Sequence, residues 1–423
     1  MRRDTRFGRL ALAATAGLVA LVLAGCTSSA GSADAPSQQP GGFSKDVEKR
    51  LETAVTDAMT LADASAGFAG VWAPWAGSWT TAQGTTTRAG STPVTTDMTF
   101  RIGQNTTPMT CTVLLELVDE GRIDLDDALT KWLPGMVGVD GVTMRELCQN
   151  TSGINDHTGA LNPKFLMNPT RQWPPLELAS DGIAMQRYGT PGEKYGPSAT
   201  NAILVGMALQ NATSKSWQQL YKEYVFDRLG MTKSVLPDNG TLTPPGPHAA
   251  GYSVGLDGSG AVVCEPMRDV TKMSPSLGWT SGGVVSDLAD LKTFGQALAT
   301  GSLLSEKSRT AQVDAVVNGE SWQRYGLGVQ LLGPLRGSSG AVPGYLSAVF
   351  SDPKSGLTVV VALNNSTPGA PFAQSLAQRL ASIASKLPPK QKGLKAVASL
   401  PWSEQQTVDA MKKTAPCPAK KAG

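Results

Sequence analysis

The chain has 423 residues, a formal net charge of +3 and 41% hydrophobic residues. A charge this small, with no long basic run, argues against nucleic-acid binding. Two histidines and the lack of a CxxC pair argue against a zinc site, and we expect neither a metal nor a cofactor.

The N-terminus has the pattern of an export signal. The pair Arg2-Arg3 precedes an apolar run from Leu10 to Ala24, and these roughly fifteen residues are fewer than the roughly 20 that a membrane-spanning helix needs. The run leads into Leu23-Ala24-Gly25-Cys26, which has the form of a lipobox. We predict a signal peptide over residues 1–25, lipidation at Cys26 and anchoring to the outer face of the cytoplasmic membrane, with Sec and twin-arginine export both open.

Three segments follow the predicted signal. Residues 26–43 are rich in Ser, Ala, Pro and Gly, which predicts a lipidated flexible linker. Residues 44–387 are enough for one large domain with a sizeable core. Residues 388–423 carry Lys and Pro, and we expect a solvated charged tail. A short return over the domain pinned by Cys417, or a segment that binds wall polymer, are the alternatives.

Four cysteines besides Cys26 would lie in an oxidising compartment, which predicts two disulfides. Three pairings are possible, and the sequence alone does not choose among them. We expect Cys111 to pair with Cys148 and Cys264 with Cys417.

Apolar periodicity and turn residues predict the elements in chain order. A helix capped by Ser44 is expected to end near Gly67, and a second helix carries Val113, Leu114, Leu117 and Val118. The middle, about residues 104–272, is predicted to be helical pieces and long loops, and a closing helix is expected at Phe372–Lys386. The predicted strands are Gly70–Ala73, Ser78–Thr80, Met98–Ile102, Tyr325–Leu332, Tyr345–Phe350 and Leu357–Leu363. This order predicts an α/β (α+β) fold in which an antiparallel sheet, built from both chain ends and flanked by helices, carries an inserted, mainly helical lobe.

Seven segments occur as recognisable landmarks along this chain. They are Phe100–Gly103, Leu117–Asp127, Thr151–Ile154, Leu229–Thr232, Ser281–Ser286, Tyr325–Gly328 and Pro343–Tyr345. In this order they resemble the class C β-lactamase and D-alanyl-D-alanine carboxypeptidase family, and they cover nearly all of residues 44–386. The resemblance implies a β-lactamase/transpeptidase-like fold with a ligand cleft between the sheet and the helical lobe.

The resemblance also implies catalysis by Ser-x-x-Lys at the start of the helix after Phe100–Gly103, where the lysine removes the serine proton. Here these positions are Gln104-Asn105-Thr106-Thr107. The frame is fixed because Gly103 precedes them and the amphipathic helix follows without a gap. A glutamine amide cannot form the ester intermediate, and a threonine hydroxyl cannot act as a base near neutral pH.

The family's two other motifs are changed as well. Tyr-x-Asn falls on Pro197-Ser198-Ala199, so Pro197 and Ala199 replace the tyrosine and the asparagine. Tyr195, two residues earlier, is a candidate substitute acid or base. The third motif falls on Ser338-Ser339-Gly340, which lacks the cation or imidazole, while Gly340 is expected to let a ligand lie close to the strand.

Other catalytic patterns are weak. The chain has no Walker loop, GxGxxG, HExxH or GxSxG sequence. A Ser-His-Asp triad would need His157 or His248, and both are expected to be surface loop residues. The sequence Ser351-Asp352-Pro353-Lys354 matches Ser-x-x-Lys, but Asp-Pro and the following Ser-Gly predict a turn.

Three changed motifs inside a retained frame predict a pseudoenzyme. It would be a cell-envelope lipoprotein that binds a cell-wall peptide or glycan, another small ligand or an envelope protein. One alternative is an altered esterase, amidase or peptidase in which Ser198, Ser338 or Ser339 is the nucleophile and Lys194 the base. Another is a structural envelope protein whose cleft is closed by bulky side chains. The candidate pocket residues are Gln104, Asn105, Thr107, Ser198, Asn201, Ser338 and Ser339.

Overall fold

The structure is a computed structural model, and it describes residues 36–256, 262–415 and 417. The predicted signal peptide, Cys26 and the first part of the predicted linker lie outside these residues. No helix of the described segments is long and apolar enough to cross a membrane.

The strands are short and lie mostly near the two ends of the chain. They are β1 (Ala66–Ala73), β2 (Gly77–Gly84), β3 (Phe100–Arg101), β4 (Tyr252–Leu256), β5 (Val262–Asp269), β6 (Val285–Ser286), β7 (Val316–Val317), β8 (Gln323–Tyr325), β9 (Gln330–Leu332), β10 (Leu335–Val342), β11 (Tyr345–Ser351) and β12 (Thr358–Leu363).

The helices fill the middle of the chain and also stand at both ends. They are α1 (Lys45–Ala62), α2 (Thr106–Asp119), α3 (Leu129–Trp132), α4 (Met144–Gln149), α5 (Thr158–Met167), α6 (Pro175–Ala184), α7 (Ala199–Thr213), α8 (Trp217–Tyr221), α9 (Asp227–Leu229), α10 (Trp279–Gly282), α11 (Leu288–Thr300), α12 (Glu306–Val313), α13 (Ala370–Ala384) and α14 (Glu404–Thr414). A π-helical turn, Lys222–Phe226, joins α8 to α9, and short 3-10 helices lie at Gly103–Asn105 and Pro275–Leu277.

Eight strands form one antiparallel sheet in the order β2-β1-β12-β11-β10-β9-β8-β7. The N-terminal hairpin joins strands from the end of the chain, since Gly67 lies opposite Leu363 and Trp72 opposite Thr358. The expectation of a sheet built from both chain ends is therefore confirmed.

The central strands are buried on both faces, as the apolar run of β12 predicts. Side chains of successive strand residues point to opposite faces. Val359 and Val361 accordingly belong to the core shared with α1 and α13, whereas Val360 and Ala362 belong to the core under the helical lobe. Full burial of each such side chain contributes about 1.5–3 kcal/mol, so this alternation fixes the register of the sheet.

Two predicted elements differ from the structure. The segment Tyr325–Leu332 is two strands, because Gly326 N donates to Val329 O and Gly328 has a φ of 72°, which closes a turn between β8 and β9. The predicted helical middle contains the hairpin β4–β5. Most side chains of β5 are exposed or half-buried, so this strand lacks the burial that produces a clear sequence pattern.

The C-terminal region also differs from the expected solvated tail. Helix α14 packs on α13, with Met411 fully buried, and the Trp402 indole N–H donates to Gln378 O at 3.2 Å. The expected solvated tail is wrong for Glu404–Thr414, because Val408 and Met411 of this helix pack into the core beneath α13.

Both expected disulfides are present. Cys111–Cys148 joins α2 to α4, and Cys264–Cys417 joins β5 to the segment after α14.

Candidate functional site

A cleft lies between β10 and the helical lobe. Strand β10 pairs with β9 only over Leu335–Gly337, whereas it pairs with β11 over Arg336–Val342. The edge of β10 beyond Gly337 is therefore open toward the lobe. Two cavities lie along the cleft, with volumes of about 360 Å³ and about 410 Å³.

The two cavities have different linings. We call the first the apolar chamber; its apolar lining includes Phe165, Leu166, Val254, Leu277 and Val342. We call the second the polar chamber; its lining includes Asn150, Ser198, Gln330, Ser338 and Ser339. Gln104 and Ala341 line both chambers, so these two residues form the wall between them.

Two glycines bring the start of α2 against β10. A Cβ on Gly340 would lie 2.5 Å from Gln104 N and from Ile102 O, and a Cβ on Gly103 would lie 2.8 Å from Ala341 N. Gly103 also has a φ of 53°, which favours glycine. The reason expected for Gly340 is thus corrected: its missing side chain makes room for protein backbone rather than for a ligand.

Gln104 is held across this contact. Its Oε1 accepts a hydrogen bond from Ala341 N at 2.6 Å. Thr107 lines the polar chamber and donates to Ser281 O at 3.2 Å. Asn105 does not line either chamber, because it is fully buried and donates to Ser347 Oγ at 2.7 Å.

The loop before α7 forms another side of the polar chamber. Pro197, Ser198 and Ala199 line it, and Ser198 Oγ donates to Asn155 O at 3.0 Å. Asn201 lies one layer deeper, where its amide donates to Asn150 Oδ1 at 2.9 Å and its carbonyl accepts from Ser152 Oγ at 2.7 Å. Asn201 therefore supports the loop without lining a chamber.

Several lining residues were missed in the sequence. Asn150 directly precedes the landmark Thr151–Ile154, and Tyr325 begins the landmark Tyr325–Gly328, so both had a signal nearby. Gln330 and Gln374 had none, because a single polar residue in a short strand or helix has no distinctive pattern.

The ionisable groups of the cleft are few. Among the described residues that line the two chambers these are Asp156, Tyr195 and Tyr325, and there is no lysine, arginine or histidine. The two tyrosine rings pack with their centroids 5.2 Å apart. Burial raises the pKa of Tyr195 and of Tyr325, so both phenols are neutral near pH 7 and are poor bases.

The other candidate bases lie away from the chambers. Lys194 is exposed, lies over Gly189 and lines neither chamber. His157 is fully buried rather than on the surface, which corrects the expectation for it; its Nδ1 lies 3.1 Å from Thr200 Oγ1. Ser351 is the last residue of β11, and Lys354 lies in the predicted turn between β11 and β12, where Asp352 accepts from Lys354 N.

A sheet packed between terminal helices and a helical lobe, with a cleft along one sheet strand, defines a β-lactamase/transpeptidase-like fold. A family model described as Beta-lactamase matches residues 52–385. The chain therefore belongs to the β-lactamase family, and the predicted family and fold are confirmed.

Curated relatives include penicillin-binding proteins. The chain is 26% identical over 271 residues to penicillin-binding protein 4* of Bacillus subtilis, which is 60% of this chain and 58% of that protein. It is 24% identical over 216 residues to penicillin-binding protein 4 of Amycolatopsis lactamdurans, which is 50% of this chain and 54% of that protein. The chain thus spans little more than half the length of these relatives.

Solved structures agree with the fold. A D-stereospecific amidohydrolase from Streptomyces sp. is 28% identical with a TM-score of 0.66, covering 75% of this chain and 94% of that one. A penicillin binding protein from Bacillus halodurans is 22% identical with a TM-score of 0.64, covering 78% of this chain and 98% of that one. The second likeness supports the fold alone.

Proposed function

We propose that this chain is a ligand-binding member of the β-lactamase family that does not carry out acyl transfer. The observation that carries the proposal is an open cleft that has the Gln104 carboxamide in the wall between its chambers. The described lining of this cleft has no lysine, arginine or histidine. The frame that shapes the cleft is retained, whereas the groups that would run acyl transfer are replaced.

The residues at the family's nucleophile and base positions support this proposal. A covalent intermediate needs an attacking hydroxyl with a base within hydrogen-bond reach. At the family's nucleophile position stands an amide, and at its base position Thr107, whose hydroxyl donates to Ser281 O. Neither an amide nor an aliphatic hydroxyl binds a proton appreciably near pH 7, so neither can supply the base.

An altered serine hydrolase is disfavoured by the surroundings of its candidate nucleophiles. The Ser198 hydroxyl donates to a backbone carbonyl, and the proposed base Lys194 lines neither chamber. Ser338 and Ser339 line the polar chamber. The one carboxylate in its described lining is that of Asp156, which lies on a different segment of the chain, and the structure gives no hydrogen bond from either serine to it. A purely structural role is disfavoured because the cleft is not filled by bulky side chains.

The proposed ligand is a fragment of cell-wall peptide; a glycan fragment or an envelope protein are the other candidates. Penicillin-binding relatives and the D-stereospecific amidohydrolase point to amide-containing molecules, and the polar chamber offers hydroxyl and amide groups for such a ligand. The N-terminal sequence supports an exported protein held at the cell envelope by lipid at Cys26.

Intact-mass spectrometry on the non-lipidated chain with both disulfides formed tests the loss of acyl transfer. After exposure to a panel of β-lactams and a fluorophosphonate, we expect no mass increase, while an active β-lactamase treated in parallel gains the adduct. An adduct mapped to Ser198, Ser338, Ser339 or any other hydroxyl would overturn the proposal.

Ligand binding needs its own measurement. Thermal unfolding with defined muropeptides at millimolar concentration is expected to show a rise in Tm, because a ligand that binds only the folded state stabilises it by mass action. An unchanged Tm with peptides and glycans alike would argue against the binding role.

A further inference from the structure

We propose that the end of the sheet where the predicted linker enters the domain is a docking surface for an anionic lipid bilayer. Residues 36–42, which we call the anchor strap, form this surface together with Lys354, Lys392 and Lys395. The inference rests on the part of the proposed function that puts lipid at Cys26, and it adds which face of the domain lies on the membrane and where the cleft then stands.

The anchor strap is hydrogen-bonded to the turn between β1 and β2. Gln39 N donates to Pro74 O at 3.1 Å, and Ser78 N donates to Gly41 O at 3.1 Å. A Cβ on Gly77 would lie 2.5 Å from Gly41 O, so the missing side chain lets the strap lie this close. The chain therefore enters the domain at a defined point beside this turn.

The segment after α13 closes over the anchor strap. Lys390 N donates to Trp75 O at 2.9 Å, and the Trp75 indole N–H donates to Leu387 O at 2.9 Å. The Lys390 ammonium donates to Pro40 O at 3.1 Å and to Gly42 O at 3.3 Å. The strap and the segment after α13 thus form one continuous surface at this end of the sheet.

The exposed charge of this surface is positive. Lys354 and Lys395 line a groove of about 270 Å³ that has no carboxylate in its described lining, and Lys392 directly precedes Gly393 of the same lining. These three lysines are exposed, and the described residues give none of them an ion pair. The Asp352 carboxylate, in the same turn as Lys354, is buried and accepts hydrogen bonds from the turn itself.

The rest of the groove lining favours a bilayer over a soluble anionic polymer. Pro36, Pro74 and Leu394 contribute apolar surface beside the lysines. At a bilayer, lysines contact anionic headgroups while apolar groups lie at the boundary with the acyl chains. A soluble polyanion has no apolar part that matches them.

The length of the linker brings this surface to the membrane. Nine residues separate Cys26 from Pro36, and these ten steps of chain span at most about 35 Å. Lipid at Cys26 would therefore hold the strap close to the headgroups. The attraction of lysines to an anionic bilayer acts within a Debye length, about 8 Å at physiological salt, so it selects this face once the linker holds the domain near.

The strand register places the apolar chamber away from the docking surface. Ser351 ends β11 next to the turn that carries Lys354, whereas Tyr345 at the start of β11 pairs with Val342 of the chamber lining. The residues from Tyr345 to Ser351 span about 20 Å at roughly 3.3 Å per step. The apolar chamber therefore stands about one strand length farther from the bilayer than the lysines do.

Vesicle binding tests the docking surface. Residues 26–423 with Cys26→Ser and both disulfides are used, because the apolar run of the predicted signal peptide would itself bind vesicles. This chain is expected to bind equimolar phosphatidylglycerol–phosphatidylcholine vesicles at least about tenfold more tightly than pure phosphatidylcholine vesicles at low salt, and added salt should remove the difference. The triple variant Lys354→Gln, Lys392→Gln and Lys395→Gln should remove it as well.

The matched control is the triple variant Lys164→Gln, Lys272→Gln and Lys307→Gln. It changes the net charge by the same amount, and its three lysines are also exposed but lie on α5, after β5 and on α12. The control is expected to bind anionic vesicles as the wild type does. Because all the replaced side chains are exposed, both triple variants are expected to keep the Tm of the wild type.

Lysine acetylation mapped by mass spectrometry tests the orientation. On anionic vesicles, Lys354, Lys392 and Lys395 are expected to react at least about threefold more slowly than in solution, because the headgroups cover them. Lys164 and Lys272 should react at their solution rates.

Three outcomes would overturn the inference. They are equal binding to anionic and neutral vesicles, an equal loss of binding in the two triple variants, and tighter binding to soluble polyphosphate than to anionic vesicles, which would favour a wall polymer as the partner. Equal slowing of acetylation at Lys164 and Lys354 would contradict the orientation.

The docking surface and the lipid anchor fail in different ways. Intact mass of the protein isolated from the bacterial envelope reports whether Cys26 carries lipid. If the Lys354 triple variant loses vesicle binding but Cys26 carries no lipid, the surface holds and the proposed anchor fails. If Cys26 carries lipid and this variant binds anionic vesicles like the wild type, the anchor holds and the surface fails.

Discussion

The apolar and polar chambers share a wall but owe their shapes to different parts of the fold. The apolar chamber lies under the hairpin β4–β5 and against α5, and its lining has no described ionisable group. The polar chamber is lined by the loop before α7, the start of α13, the last residue of β8 and the first of β9, with hydroxyls, amides, two phenols and one carboxylate. The first suits an apolar group and the second suits hydrogen-bonding groups.

The positions at which we predict changed family motifs fall mainly in one of the two chambers. All three predicted motif positions contribute to the polar chamber, through Thr107, Pro197, Ala199 and Ser338, while Gln104 stands at its boundary. Gly103 and Gly340, which bring the start of α2 against β10, lie beside these positions. Substitutions that remove the support of one chamber, or that change the lining of one chamber at a time, test this difference.

The largest effect on the polar chamber is expected from the disulfide behind it. Gly328 N donates to Cys148 O at 2.8 Å, and Gly328 packs on Cys111 Cβ, so this bridge supports the turn between β8 and β9. Replacing Cys111 and Cys148 together by Ala is expected to lower the free energy of unfolding by roughly 3 to 4 kcal/mol, measured by urea denaturation.

The second disulfide is the control for this double variant. Cys264 lies on β5, which borders the apolar chamber and not the polar one. Replacing Cys264 and Cys417 by Ala should therefore leave the NMR signals of the polar-chamber amides unshifted. Equal shifts of Tyr325 and Gln330 amides in both double variants would contradict the assigned support.

Gly340→Ala is expected to disrupt the wall itself. A Cβ 2.5 Å from two backbone atoms forces the start of α2 away from β10, at a cost of about 3 kcal/mol in urea unfolding. Gly159→Ala is the matched control, because no atom lies within 4 Å of its added Cβ and alanine favours the helix α5. A Gly340→Ala protein as stable as Gly159→Ala would contradict the close contact.

Leu166→Ala tests the apolar chamber. The preference for N-acetylphenylalanine amide over N-acetylglycine amide measures occupancy of the apolar chamber. Leu166→Ala should reduce that preference roughly fivefold, about 1 kcal/mol, since part of the apolar contact is lost. Ser338→Ala should reduce affinity for both probes alike; a loss of preference there would show that the phenyl ring lies in the polar chamber.

The smallest effect is expected from His157, which lies between Asp156 of the polar chamber and Thr158 of the apolar one. Burial lowers the pKa of His157, although Asp156 and Asp181 act in the opposite direction. Below about pH 6.5 the unfolded chain therefore binds a proton that the folded chain does not, so stability present above that pH is lost as the pH falls.

The measurement is the urea midpoint between pH 7 and pH 5. His157→Gln should have a smaller decrease across this range than the wild type, and His248→Gln, which removes the partly exposed loop histidine, is the matched control. An identical decrease in wild type and His157→Gln would show that His157 does not contribute.

The sheet is predictable from the sequence mainly through β12, whose residues Val359–Leu363 form a continuous apolar run. Leu357–Leu363 is buried on both faces and is apolar except for Thr358, so it is recognisable without a partner strand. Strand β10 was harder, because the segment Ser338-Ser339-Gly340 has neither bulk nor alternation. Its conformation is fixed by pairing with β11, which periodicity within one segment cannot reveal.

The candidate site was predictable where a backbone landmark fixed the position of a residue. Gln104, Ser198 and Ser338 lie at the cleft because glycines and helix starts beside them set their place. Asn105 and Asn201 are pocket candidates only because they lie close in sequence to motif positions. At the start of a helix, neighbouring residues point in different directions, and both side chains are buried away from the chambers. The apolar chamber was not foreseen, because its lining comes from separate segments of the chain.

Helix α14 has a consequence for the order of assembly. The core beneath α13 contains Leu51 and Val55 from the first helix together with Trp402 and Met411 from the last segment. Contacts between such distant parts of a chain form slowly, because a long loop must close first. Since translation runs from the N-terminus, this core can close only after the residues up to Met411 have left the ribosome, and premature arrest would leave a large apolar surface uncovered.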